Sequence, residues 1–331
     1  METRKVQVTG GSTYTVSLPK GWATSNEVSA GSVVEFHPEE DSLVLTPRRE
    51  NERTEGTLDI TDIEGDELSQ AVITMYVSGF DVITLQTGRV DAGQRAAIRD
   101  AAQGLVGLEV IEETSDRVML QDLLDSSELS IHNAITRMRL VALTMLEDAL
   151  TALIENDTEL AMDVAERDQD VNRLWYMTSR VFRSVLREPS AAVEIGLDRE
   201  TCFDYHMGAR QLERIADHAS KIARLSLELG EIPEEAAEAL TDLHANASEI
   251  AERAMDALLQ DDPEQARELA NEARASIDTI DEGTQEIENV LRELEARQAQ
   301  RLGLVVDSLS RTADYGVNIA ESATQKTAPR P

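Results

Sequence analysis

QLERIADHASKIA, residues 211–223, has an imperfect echo in SLSRTADYGVNIA, residues 308–320. Overlaid, Leu212, Arg214, Ala216, Asp217, Ile222 and Ala223 fall on Leu309, Arg311, Ala313, Asp314, Ile319 and Ala320. Apolar residues recur three and four apart, so each copy reads as an amphipathic helix. Its core face is expected to carry one aspartate, Asp217 or Asp314.

A second echo lies upstream of each, ALTALIENDTELA (149–161) against AMDALLQDDPEQA (254–266). The order repeats in both halves, which makes the region a duplicated helical unit. The first pair is offset by 97 residues and the second by 105, so the second copy has the shorter connector between its second and third helices. Helices are predicted over 128–155, 157–187 and 199–229, then 234–260, 262–298 and 300–325. Short breaks favour antiparallel neighbours and hence two three-helix bundles.

On these two helices, and on ERDQDVNRL (166–174) of the helix before, the sequence resembles the PhoU family of phosphate-signalling proteins. The resemblance spans roughly 126–325. It implies a regulator that contacts a phosphate ABC transporter or its ATPase subunit. It also implies carboxylate pairs that hold iron or zinc. The positions carried over are Asp168, Glu213 and Asp217 in the first copy and Asp278 and Asp314 in the second. The pattern is incomplete: Asn172 stands where the family has an acid, and Ser310 replaces the counterpart of Glu213. Ion pairs are the competing reading, Glu213 with Arg210 and Asp217 with Arg214 or Lys221, all at helical spacing.

The chain has 331 residues, 41% of them hydrophobic but only 3% aromatic, so its cores must rest on Leu, Ile, Val, Ala and Met. No apolar run reaches the length of a membrane span, and the first residues lack the apolar core of a signal peptide. A single cysteine, Cys202, rules out an intrachain disulfide and suits a reducing interior. A cytoplasmic protein with no membrane insertion is expected. Net charge is −33, and only four of the 31 basic residues are lysines (Lys5, Lys20, Lys221, Lys326). Such a surface suits molar salt, where the Debye length falls to about 3 Å and self-repulsion is screened. It points to a halophile, and with the resemblance to an archaeal, haloarchaeal source.

Residues 1–47 read differently. Alternating strands are expected at 5–8 and 13–18, a helical turn at 19–22, and a hairpin of 33–36 with 43–46 around residues 37–42. Four short strands cannot close a core alone, so a homodimer is the simplest completion. Through Arg4-Lys5-Val6, TGGSTYTVSLPKGW (9–22), SAGSVVEF (29–36) and SLVLTP (42–47), the segment resembles the AbrB/SpoVT swapped-hairpin DNA-binding domain. The resemblance makes Arg4, Lys5, Thr13, Tyr14, Thr15, Ser17 and Lys20 candidates for facing DNA. Arginine and lysine neutralise phosphates, while hydroxyls position or read bases.

A charged linker is expected at 48–56, then a βαβαββ domain: strand 58–61, helix 66–78, strand 81–86, helix 92–105, and a hairpin of 108–113 with 117–121. It has no Gly-rich phosphate loop. Residues 171–187 carry Arg173, Arg180, Arg183 and Arg187 without one acid. Either acidic neighbours pair with them, or they form a stripe for an acidic partner or a phosphate-bearing ligand. No histidine has the Glu-x-x-His spacing of ferritin-like oxidases. Cys202, four residues before His206, reads as packing.

The expected fold is multidomain and mainly α. A dimeric swapped-hairpin β barrel (1–47) precedes a small α/β sandwich (56–125) and two tandem three-helix bundles (126–232 and 233–326). The expected function is phosphate-responsive transcriptional regulation of phosphate uptake, not catalysis. The rival is an adaptor that does not bind DNA and restrains a phosphate ABC transporter by direct contact.

Overall fold

The computed structural model describes residues 2–39, 42–48, 53–124 and 130–329. The chain divides into two compact units, 1–53 and 54–331.

The N-terminal unit contains two antiparallel hairpins. β1 (Gln7–Thr9) pairs with β2 (Thr13–Thr15), and β3 (Val34–Glu39) with β4 (Ser42–Pro47); α1 (Lys20–Ser25) lies between them in sequence. The strands of the second hairpin run further than expected, with Glu39 opposite Ser42; residues 40–41 fall outside the described residues. Among the described residues the two hairpins form separate two-stranded sheets. None of the described residues of this unit is buried.

Residues 49–52 of the expected linker lie outside the described residues, and its end, Glu55 and Gly56, is already strand. β5 (Glu55–Asp59), α2 (Gly65–Val77), β6 (Val82–Gln86), α3 (Ala92–Gln103), β7 (Leu108–Glu113) and β8 (Arg117–Asp122) follow the βαβαββ order. The sheet runs β5-β6-β8-β7, with β5 parallel to β6 and the other pairs antiparallel. Alternation turns Ile83 and Leu85 of β6 and Val118 and Leu120 of β8 onto Leu68, Val72 and Tyr76 of α2 and Ile98 of α3. Asp91 and Gln94 form a capping box on α3, and the Gln94 amide also donates to the carbonyls of Ile60 and Ile63.

The helical part comprises α4 (Ile131–Glu155), α5 (Thr158–Arg187), α6 (Pro189–Ile195), α7 (Arg199–Leu229), α8 (Glu234–Leu259), α9 (Pro263–Ala275), α10 (Asp278–Leu291) and α11 (Ala296–Lys326). The repeat extends to individual hydrogen bonds. Asp157 caps α5 by accepting from the amides of Glu159 and Leu160, and Asp262 caps α9 from those of Glu264 and Gln265. The longer connector of the first copy contains α6.

The helix expected over 262–298 is broken. Ser276 Oγ donates to the Glu272 carbonyl (3.1 Å) and Thr279 Oγ1 to the Ser276 carbonyl (2.6 Å), and the chain tightens to three-residue hydrogen bonds there. Hydroxyl side chains competing for the helix carbonyls separate α9 from α10.

The bundles α4–α5–α7 and α8–α9/α10–α11 share one continuous apolar core. They meet where α7 and α11 cross antiparallel. Asn318 donates to Gln211 (3.3 Å), Lys221 pairs with Asp307 (3.3 Å) and Arg301 with Glu228. At the middle, His218 Nε2 lies 3.3 Å from the Tyr315 hydroxyl. His218 and Tyr315 are each other's counterparts in the repeat, so a pseudo-twofold axis passes between them.

The α/β part is joined to the bundles by the arginine stripe. Arg180, 8% exposed, donates to the carbonyls of Tyr76 (2.8 Å) and Phe80 (3.0 Å) and pairs with Asp81 (2.7 Å) and Asp122 (3.0 Å). Its guanidinium lies over the Tyr76 ring, 4.9 Å from the centroid. Arg187 donates to the Ser78 carbonyl beside Gly79, where φ is +86° and a Cβ would run into the guanidinium. Two arginines of α5 therefore satisfy the open carbonyls at the end of α2.

Candidate functional site

In the first hairpin Val8 stands opposite Tyr14, and Gln7 and Thr9 stand opposite Thr15 and Thr13. Alternation then sorts the neighbouring residues onto two faces. Val8 and Tyr14 share one face, and they and the flanking Val6 and Val16 are 53–77% exposed. Gln7, Thr9, Thr13 and Thr15 share the other. Of the residues expected to face DNA, Thr13 and Thr15 come together, while Lys5 and Ser17 lie just outside the paired strands. Tyr14 falls with Val8 on the apolar face, and Arg4, ahead of the first strand, pairs with Glu2 (3.1 Å). Lys20 opens α1. Gln7 and Thr9 escaped the sequence reading, although their alternation with Val6 and Val8 carried the signal. The polar face is pre-ordered by Thr9 Oγ1 and Thr15 Oγ1, 3.2 Å apart.

Of the five carboxylates carried over from the resemblance, the buried one is Glu213, 8% exposed, while Asp217 and Asp314 are exposed. This corrects the expectation of a core-facing aspartate. Glu213 Oε1 accepts from Arg210 at 2.8 Å, the ion pair that the spacing offered, and its Oε2 is buried with no hydrogen-bond partner among the described residues. Burial, then the charge of Asp217, pushes the Glu213 carboxyl up to about 7 against the pull of Arg210. Asp168, on α5, is also raised by burial and by Asp217, while Arg224, Ser220 and Asn172 oppose the shift. Asn172 donates to Asp168 at 2.9 Å.

Neither ion pair expected of Asp217 forms. Arg214 lies over the Tyr315 ring (5.6 Å), and Lys221 is taken by Asp307. In the second copy Asp314 pairs with Arg311 (3.3 Å), Ser310 meets Thr284 (3.3 Å), and Asp278 is exposed at the start of α10. Among the described residues no three His, Cys, Asp or Glu side chains gather as a metal would need.

Beside them on the α5–α7 face, His206 is sandwiched between Trp175 (4.8 Å between centroids) and Phe182 (4.5 Å), and Phe203 packs on Phe182 (5.9 Å). Burial, then Arg183 and Arg210, lowers the His206 imidazole to about 4, so it is neutral at ordinary pH. Cys202 is buried, and burial with Asp198 pushes its thiol up to about 11, which leaves little nucleophilic thiolate. On the α/β part an open cleft of about 480 Å³ is lined by Asp59, Thr61, Gln86, Thr87, Asp116 and Arg117. Several of its polar groups bind one another, Thr61 to Asp59 and Thr87 to Thr61.

Residues 135–226 and 240–323 each match the PhoU domain, and together they make up more than half of the chain. The chain belongs to the PhoU family. Its two PhoU domains coincide with the duplicated bundles. Residues 7–53 match "Antidote-toxin recognition MazE, bacterial antitoxin", the strand-rich unit that precedes them.

Two curated relatives are similar over 188 residues, 53% of this chain, and both are named phosphate-specific transport system accessory protein PhoU homolog. The one from Pseudomonas aeruginosa is 29% identical with 72% of its length covered; the one from Pseudomonas putida is 31% identical with 68% covered. The crystal structure of PhoU from Pseudomonas aeruginosa superposes with a TM-score of 0.50 at 24% identity. It covers 58% of this chain and 93% of that one, a likeness of fold. Among the described residues no helix is long and apolar enough to cross a membrane.

Proposed function

We propose that this PhoU-family protein is a cytoplasmic, phosphate-responsive transcriptional regulator of phosphate uptake. A second copy of the N-terminal unit completes a DNA-binding homodimer. The PhoU domains receive the phosphate-status signal through a phosphate ABC transporter or its ATPase subunit. The observation that carries the DNA-binding half is the sorting of the first hairpin. One face bears Val8 and Tyr14, flanked by the exposed Val6 and Val16, in a unit with no buried residue among those described, and the other bears the Thr9, Thr13 and Thr15 hydroxyls and the Gln7 amide. An apolar face left open in so small a unit calls for a matching surface, and a second copy has one. The opposite face carries the groups that position on phosphates and read base edges.

The names of the curated relatives support the link to phosphate transport. Mechanistically, a transporter component that prefers one arrangement of the bundles shifts the population of the DNA-competent dimer. At molar salt counterion release contributes little, so hydroxyl and amide contacts carry more of the affinity.

The test is a gel shift in molar KCl with genomic fragments upstream of phosphate-transport genes. Retarded fragments are expected, lost in Lys5→Ala/Thr13→Ala and in Val8→Asp. Absence of any retarded fragment with the unaltered chain removes DNA binding and leaves the adaptor, with the N-terminal unit acting in dimerisation alone.

A further inference from the structure

The polar face of the first hairpin carries no charge. Its four paired residues are Gln7, Thr9, Thr13 and Thr15, all exposed, with Gln7 opposite Thr15 and Thr9 opposite Thr13. Two of its hydroxyls are engaged within the hairpin. Thr9 Oγ1 and Thr15 Oγ1 lie 3.2 Å apart, and Thr15 Oγ1 donates to the Gln7 carbonyl at 3.4 Å. The Gln7 carboxamide is different: among the described residues it makes no hydrogen bond. It is the longest polar side chain of the four.

The turn beyond these residues is bare. Gly10 and Gly11 take φ of +64° and +81°, and nothing lies within 4 Å of where a Cβ would stand on either. A two-stranded ribbon with so slim a tip fits the major groove, which is about 12 Å wide. Uncharged side chains release no counterions from phosphates, so their contacts do not fade as salt rises. What they can engage is the edge of a base. A glutamine carboxamide matches adenine, donating to N7 and accepting from the N6 amino group, and a threonine methyl fits the methyl of thymine.

We infer that Gln7, given the DNA binding proposed above, sets the sequence preference by reading an adenine in the major groove. Thr9 and Thr15 hold each other in place beside it, and their methyl groups suit the thymine of an A·T pair. A homodimer carries two such ribbons, so the preferred duplex has one adenine contact in each half.

The experiment takes the full-length chain in molar KCl and selects duplexes from a pool of randomised sequence. The selected duplexes are expected to share an A·T pair in each half. Replacing that adenine by 7-deazaadenine removes the N7 acceptor and is expected to weaken binding about tenfold. Gln7→Ala is expected to bind the unmodified duplex about tenfold more weakly and to be indifferent to the replacement. Dimer mass and thermal unfolding of this variant are expected to match the unaltered chain, which separates lost contact from lost fold. If 7-deazaadenine weakens both proteins alike, or if the selected duplexes share no A·T pair, Gln7 is not the reader, although DNA binding stands. If the unaltered chain selects no duplex, adenine readout falls together with DNA binding.

Discussion

Arg180 on α5 and Asp122 at the end of β8 meet at 3.0 Å, with side chains 9% and 8% exposed. The same guanidinium binds Asp81 and two carbonyls at the end of α2, so the α/β part and the first bundle share a buried, hydrogen-bonded charge. Removing one member of such a group strands the others. Arg180→Ala is therefore expected to destabilise unit 54–331 by about 3–5 kcal/mol. It is expected to expose the α2–α5 contact to protease. Denaturant unfolding and limited proteolysis check this, with Arg183→Ala as the neighbour expected to shift stability by less than about 0.5 kcal/mol.

The duplication, the helix order and the βαβαββ domain were legible because they depend on periodicity and on caps such as Asp157 and Asp262. What the sequence left open turns on small rotations and distant partners. Glu213 and Asp217 are four residues apart, about 40° around the helix, so both sit at the edge of the apolar stripe. Only the packing of α5 decides that Glu213 turns in and Asp217 out. The acid-free arginine stripe was conspicuous, but the partners of Arg180 lie about a hundred residues earlier, at Asp81, and no local rule reaches them. Tyr14 was placed with the hydroxyl residues for its chemistry, whereas the strand alternation sets it opposite Val8.

The two glycines of α11 should respond with opposite sign. At Gly316 a Cβ would meet Ile250 Cγ2 at 2.9 Å and the backbone of Ala251 at 3.0 Å, where α8 and α11 touch. At Gly303 nothing lies within 4 Å. Gly316→Ala is expected to cost about 1–3 kcal/mol through overpacking. Gly303→Ala is expected to stabilise by up to about 1 kcal/mol through helix propensity. Denaturation midpoints of the two variants, measured side by side, decide it.

Net charge of −33 makes stability a function of salt. Raising KCl from roughly 0.1 M to molar concentration shortens the Debye length from about 10 Å to about 3 Å and removes most of the repulsion between exposed carboxylates. The melting temperature is expected to climb steeply over that range and then level off. A melting temperature that stays flat from dilute buffer to molar KCl would contradict the halophilic reading of the composition.

Glu213 gives a pH dependence of definite sign. Its carboxyl is raised from 4.5 to about 7 in the folded chain, first by burial and then by Asp217, with Asp168 adding and Arg210 and Arg214 opposing. Between those two values the unfolded chain has already lost the proton that the folded chain keeps. The group's contribution is therefore fully present below about pH 4.5 and is lost as pH rises through about 7, by roughly 3 kcal/mol in all. Glu213→Gln keeps an acceptor for Arg210 and cannot ionise. It is expected to match the unaltered chain near pH 5 and to exceed it in stability near pH 8. Urea titrations of both proteins in molar KCl measure the difference. Equal stabilities near pH 8 would mean that the carboxylate sits as comfortably in the α5–α7 interface as its acid.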